Sequence, residues 1–168
     1  MTQISYQLYC SRNFPPIGAT LQMLGKTGFT EVEGYGGLFD DVDGLKAGLD
    51  AHGLKMTSSH IGLDMIESDP TGTIAITKQL GIKKVFAPFV GADERPTDTA
   101  GWVAFGKRLV DAGKPLQDAG LVFGWHNHAF EFDATDSGDT PLDLICAASA
   151  DLMLELDLGW VRVAGHAP

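Results

Sequence analysis

From Trp125 to Phe132 the chain reads Trp-His-Asn-His-Ala-Phe-Glu-Phe, placing two imidazoles, an amide and a carboxylate directly behind the apolar run Leu121-Val122-Phe123. A second polar group, Glu155 and Asp157, closes the apolar run that begins at Leu152. Ser58 and His60 end a third run, and Glu33 holds a comparable place in a fourth. Polar side chains gathered where buried strands end are how parallel α/β sheets build active sites. Imidazole nitrogen and carboxylate oxygen drawn from several strand ends suit a divalent cation such as Mn²⁺, Co²⁺, Mg²⁺ or Zn²⁺. A carboxylate turned into a barrel without a partner is costly, and a cation relieves that cost.

Side chains alternate along a strand. If extension persists, His126 and His128 share a face and Asn127 points the other way. Met153, Glu155 and Asp157 likewise share one face, leaving Leu152, Leu154 and Leu156 to pack under helices. Each residue also has a structural reading. His60 can be a hydrogen-bonded core histidine, His126 and His128 can brace loops, and Glu155 can pair with a buried cation. Asp64, Glu67, Asp69, Asp93, Glu94, Asp133, Asp136 and Asp139 read as solvated loop charges. Trp102 and Phe105 read as helix core, whereas Trp125 and Trp160 fall near the expected mouth. Cys10 has no assignable activating partner and reads as inert.

The elements that must position these groups repeat along the chain. Candidate strands begin near Ile4, Glu31, Lys55, Lys83, Leu121 and Leu152, separated by 27, 24, 28, 38 and 31 residues. Gly28, Gly53, Gly81 and Gly120 precede four of them, as expected where a helix ends in a left-handed cap. Helical periodicity runs over 17–26, 42–52 and 97–119, and Pro115 is expected to bend or break the last helix. Strands alternating with helices imply right-handed crossovers and a parallel sheet. With six units in 168 residues, the fold class is α/β of the (β/α)8 TIM-barrel type. About six of the eight units are expected, in a single incomplete domain over 1–168. A complete barrel takes roughly 250 residues. An open doubly wound sheet is the competing architecture. It usually carries a glycine-rich phosphate turn after its first strand, and the sequence from Tyr9 to Pro16 has neither GxGxxG nor GxxxxGK[ST].

Composition narrows the function classes. The net charge of −10 disfavours a general nucleic-acid surface or an anionic membrane. Two cysteines without CxxC spacing read as reduced thiols. With neither a signal-like N-terminus nor a membrane-length apolar run, the expected location is cytoplasmic.

At these residues the chain resembles the xylose-isomerase-like barrel superfamily, in its sugar phosphate isomerase/epimerase branch. The resemblance rests on Gly28-Phe29-Thr30-Glu31-Val32-Glu33, Ser58-Ser59-His60-Ile61-Gly62, the segment His126–Phe132, and Leu154-Glu155-Leu156-Asp157-Leu158-Gly159-Trp160. It implies a divalent cation held by late strands, and isomerisation or epimerisation of a sugar or sugar phosphate by proton transfer through an enediolate. Asp157, His126 and Glu155 are then the expected metal ligands. Glu131 and His60 are the catalytic groups, and His128, Trp160 and Glu33 contact substrate. Two places depart from the pattern. Trp125 stands where ketose epimerases carry a metal glutamate, and Trp160 where they carry a histidine. The superfamily also draws a metal histidine from strand seven and a catalytic glutamate from strand eight. A six-unit chain is therefore expected to bind metal weakly and to be weakly active or inactive. The alternatives are a non-catalytic interaction protein or fragment completed by another chain, with homo-oligomers forming through open barrel edges, and a dehydratase on the same scaffold. An abasic-site nuclease fits poorly with 12 Lys+Arg against 22 Asp+Glu.

Overall fold

The computed structural model describes residues 4–168. Six strands form one all-parallel sheet in sequential order: β1 (Ser5–Gln7), β2 (Glu31–Tyr35), β3 (Lys55–His60), β4 (Lys84–Ala87), β5 (Val122–His126) and β6 (Met153–Glu155). A doubly wound sheet reverses its strand order midway, so the sequential order decides for the barrel. The curl is visible in one contact. His60 Nε2 on β3 lies 3.1 Å from a Glu155 oxygen on β6, although three strand spacings in a flat sheet span roughly 14 Å.

Helices α1 (Ile17–Lys26), α2 (Val42–Ala51), α3 (Leu63–Ser68), α4 (Pro70–Leu80), α5 (Thr99–Asp118), α6 (Pro141–Cys146) and α7 (Leu158–Val163) fill the connections. Their starts are written in side chains that accept orphan backbone N–H groups. Asp41 caps α2, Asp69 caps α4 with Pro70 in its first turn, and Asp98 caps α5. Thr140 and Asp143 form a reciprocal capping box on α6. Asp69 is thus a helix cap, while Asp64 and Glu67 lie on α3, so none of these three is a loop charge. Gly28, Gly53, Gly81 and Gly120 all adopt the expected left-handed conformation, with φ between 67° and 91°. Pro115 does not end α5, which continues to Asp118. Sitting in the last turn, it forgoes only its own bond to the carbonyl four residues back.

Between sheet and helices lies one apolar cluster that includes Leu8, Leu21, Leu49, Val85, Leu109, Leu116, Phe123 and Trp125. Trp102 and Phe105 on α5 are buried in it as expected. So is Trp125, whose ring meets Phe105 edge-on at 5.3 Å. Trp125 therefore faces the helix layer and not the mouth. Leu156, expected to pack under helices, is exposed, because extension ends at Glu155. Two glycines set how closely layers approach. A Cβ on Gly113 would clash with the Phe123 ring, and one on Gly124 with the Met153 carbonyl oxygen. Among the described residues no helix is long and apolar enough to cross a membrane.

Candidate functional site

The C-terminal ends of the strands surround a cavity of about 540 Å³ lined by residues from Gln7, on β1, to Trp160, on α7. Its floor is polar, and the groups are tied to one another. Glu33 on β2 accepts from Gln7 Nε2 at 3.0 Å and from the Ser58 hydroxyl at 2.6 Å. The same carboxylate lies 3.4 Å from His60 Nε2. His60 is therefore held between Glu33 and Glu155, on β2 and β6. Its ring is 4.6 Å from that of His126. One ligand atom each from His60, His126 and Glu155 fall within 4.8 Å of one another. Asp157 stands beside them, 3.9 Å from His126 Nε2, while its other oxygen accepts from Trp160 N and caps α7.

The segment after β5 is not extended. The strand stops at His126, and Phe130–Phe132 forms a 3₁₀ turn. His126 and His128 nevertheless both line the cavity, with ring centroids 5.2 Å apart. Asn127 points away and fixes the next strand end: Asp157 N donates to its Oδ1 at 2.8 Å.

Glu131 departs from expectation. Expected to touch substrate, it is fully buried, and both of its oxygens are occupied within the segment. Trp125 Nε1 donates to one at 3.0 Å and His128 N to the other at 2.8 Å. It is absent from the cavity lining. Here Glu131 fastens the His128 loop to the strand beneath. Burial pushes its carboxyl up to about 7, against the lowering effect of the hydrogen bonds from His128 N–H and the Trp125 indole. Glu33, expected at the substrate, is likewise buried, and acts on His60.

Burial is also the main cause that takes His126 and His128 down to about 4, reinforced in each case by a neighbouring imidazole. Both rings are neutral near pH 7 and can offer a lone pair. The Nδ1 atoms of His126 and His128 are buried without a hydrogen-bond partner, although buried polar atoms are normally satisfied.

This set fits a divalent cation. Donors around one Zn²⁺- or Mn²⁺-sized ion sit roughly 3–4 Å apart, so ligand atoms already within 4.8 Å need only small adjustments. Neutral imidazoles and carboxylates are the donor types such ions take. His60 lies in the same cluster, its Nε2 against the Glu33 and Glu155 carboxylates. Gln7 has no motif around it and was not foreseen at all. It lines the site because β1 ends at Gln7 and the chain turns at once into 3₁₀ geometry over Leu8–Ser11, where a strand to Cys10 was expected.

No protein-family model and no curated protein matches the chain. Solved structures do. A sugar phosphate isomerase/epimerase from Parabacteroides distasonis superposes with a TM-score of 0.85 at 20% identity, over 99% of this chain and 68% of that one. The chain has an α/β fold of the TIM-barrel type, similar to that of this barrel. D-psicose 3-epimerase from Clostridium cellulolyticum H10, solved with D-tagatose, gives 0.64 at 13% identity, over 98% of this chain and 70% of that one. The IolI protein with a zinc atom gives 0.70 at 14% identity, over 98% and 66%. Against these barrels the chain supplies six parallel strands with their helices.

Proposed function

We propose that the cavity is the site of a metal-dependent isomerase or epimerase acting on a sugar or sugar phosphate. The observation that carries this reading is the convergence of ligand atoms of His60, His126 and Glu155, from three different strands, within 4.8 Å of one another, with both histidines lining the cavity. The likeness to sugar isomerase and epimerase barrels supports it.

His126, Glu155 and Asp157 would hold the cation. When bound, a divalent cation supplies Lewis-acid polarisation of a sugar carbonyl. The chain's own groups do the rest. His60, placed by Glu33 and Glu155, accepts the proton from the carbon next to the carbonyl. The C–H pair becomes the new C=C bond and the carbonyl π pair moves to oxygen, giving an enediolate. Returning the proton to the former carbonyl carbon, while the hydroxyl proton of the enediolate passes from the second oxygen to the first and the C=O re-forms at the second, isomerises the sugar. Delivery of a solvent proton to the opposite face of the original carbon, with His60 releasing its own to water, epimerises it. His128, with its ring 4.9 Å from that of Trp160, flanks the place where substrate hydroxyls would lie. Glu131 supports this machinery from below by fixing the His128 loop.

Proton exchange tests the reading independently of product identity. With Mn²⁺ and a panel of ketoses and aldoses in deuterated water, ¹H NMR should show deuterium entering next to the carbonyl. His60→Ala should abolish the exchange. No exchange with any sugar, or unchanged exchange in the variant, contradicts the proposal. A dehydratase would begin with the same proton abstraction and would be distinguished by loss of water from the product.

A second reading has its own observation. Met153, Leu156, Leu158 and Val163 leave apolar surface exposed along β6 and α7, and exposed strand edges and apolar patches invite another chain. Light scattering that stays monomeric over a wide concentration range would count against it.

A further inference from the structure

Above the polar floor the cavity has an aromatic rim. Tyr9, Tyr35, Phe89 and Trp160 all line it. Three of these rings remain open to solvent: Tyr9 is 45%, Phe89 48% and Trp160 38% exposed. Large rings left open around hydrogen-bonding groups suit a ligand with one apolar face and a polar edge. A sugar ring has that form, since its axial C–H bonds pack on an aromatic face while its hydroxyls reach outward.

The rim is braced before any ligand arrives. Tyr9 meets Tyr35 edge-on at 5.2 Å. The Trp160 ring lies against His128, and Phe89 meets the same imidazole edge-on at 5.2 Å. Held rings lose little freedom on binding, which favours affinity.

The charge of the site points the same way. Asp157 lines the cavity, and Glu33 and Glu155, which do not line it, lie behind against His60, which does. The nearby guanidinium groups are turned to the rings. Arg12 sits 4.0 Å over the Tyr9 ring and donates to the Tyr9 carbonyl. Arg95 sits 3.6 Å over Phe130 and donates to the Val90 carbonyl. Neither Arg12 nor Arg95 lines the cavity. The Trp160 N–H in the first turn of α7 already donates to the Asp157 carboxylate. A phosphate dianion would therefore find no Lys or Arg among the lining residues to serve as a cationic donor, even with a cation on Glu155 and Asp157.

We infer that the cavity selects an uncharged sugar ring, stacked on Trp160 at the rim, over the phosphate ester of the same sugar. This rests on reading the cavity as a sugar site, and it decides between the two substrate classes left open above. The test is calorimetric titration with D-fructose and D-glucose against their 6-phosphates, in the presence of Mg²⁺. Trp160→Ala is run beside the wild type, and tryptophan emission reports position, since Trp102 and Trp125 are buried.

The free sugars should bind at least about tenfold more tightly than their phosphates, shift the emission, and weaken about five- to tenfold in Trp160→Ala. Phosphates binding equally or more tightly would overturn the inference while leaving the isomerase reading in place. Unchanged affinity in Trp160→Ala would overturn the stacking. If no sugar of either kind binds, the inference and the sugar reading fall together. Sugar binding in the expected order without saturable Mn²⁺ binding would sink only the metal-dependent reading.

Discussion

Replacing Glu131 by Gln isolates the energetic consequence of a buried carboxylate beneath the site. Glu131 has its carboxyl raised from 4.5 to about 7 by burial. A raised carboxyl contributes stability that is complete below its unfolded value, near 4.5, and is lost as pH climbs through its folded value, near 7. The full effect corresponds to about 3 kcal/mol at about 1.4 kcal/mol per unit of pKa. Gln keeps the shape but does not titrate. Losing an acceptor for Trp125 or His128 N–H costs the variant an amount that does not change with pH. His126 and His128 titrate in the opposite sense, gaining stability as pH rises from about 4 to 6.5, and this cancels between the two proteins. The observable is thus the stability difference, wild type minus Glu131→Gln, from urea unfolding between about pH 5 and pH 8. It should move by about 2–3 kcal/mol in favour of the variant as pH rises. A difference that stays flat would mean that Glu131 titrates as an ordinary carboxylate, and the assignment of a buried charge holding the His128 loop would be wrong.

Other perturbations address the frame. Gly124→Ala should cost about 1–3 kcal/mol, because its Cβ would strike the Met153 carbonyl oxygen and push β6, which carries Glu155, from β5. Thermal unfolding reads this, and an unchanged midpoint would refute it. Gly113→Ala should cost a similar amount through the Phe123 ring, with the cavity itself intact. Glu33→Gln should leave the fold stable yet slow proton exchange at least about tenfold, since the Glu33 carboxylate, held by Gln7 and Ser58, shares with Glu155 the orientation of His60 as acceptor. A rate equal to wild type would remove Glu33 from the account.

Much of the frame was legible because it depends on local signals. Glycines two or three residues before the strands carried the required positive φ, and the periodicity of α1 and α2 matched helices packing one face on the sheet. Six sequential strands followed from the spacing of apolar runs. The site was legible in composition more than in role. His60, His126, His128, Glu155 and Asp157 do gather, since each sits at or just beyond a strand end. Glu131 was placed by the resemblance alone, which says nothing of how the chain folds just after β5. Only the 3₁₀ turn over Phe130–Phe132 shows it folding back under Trp125. The α3 and α4 boundaries were missed because Asp69 and Pro70, which read as a loop, are a helix cap and its first turn. Gln7 had no neighbouring motif, and only the pairing of β1 with β2 brings it to Glu33.

The central claim is a cation held by His126, Glu155 and Asp157, and titration calorimetry with Mn²⁺ tests it most directly. Wild type should show saturable one-site binding that disappears in His126→Ala and falls severely in Asp157→Asn. Asn still caps a helix, so that loss would not reflect an unravelled α7. A wild-type titration without saturation, or variants that bind as wild type does, would contradict the account.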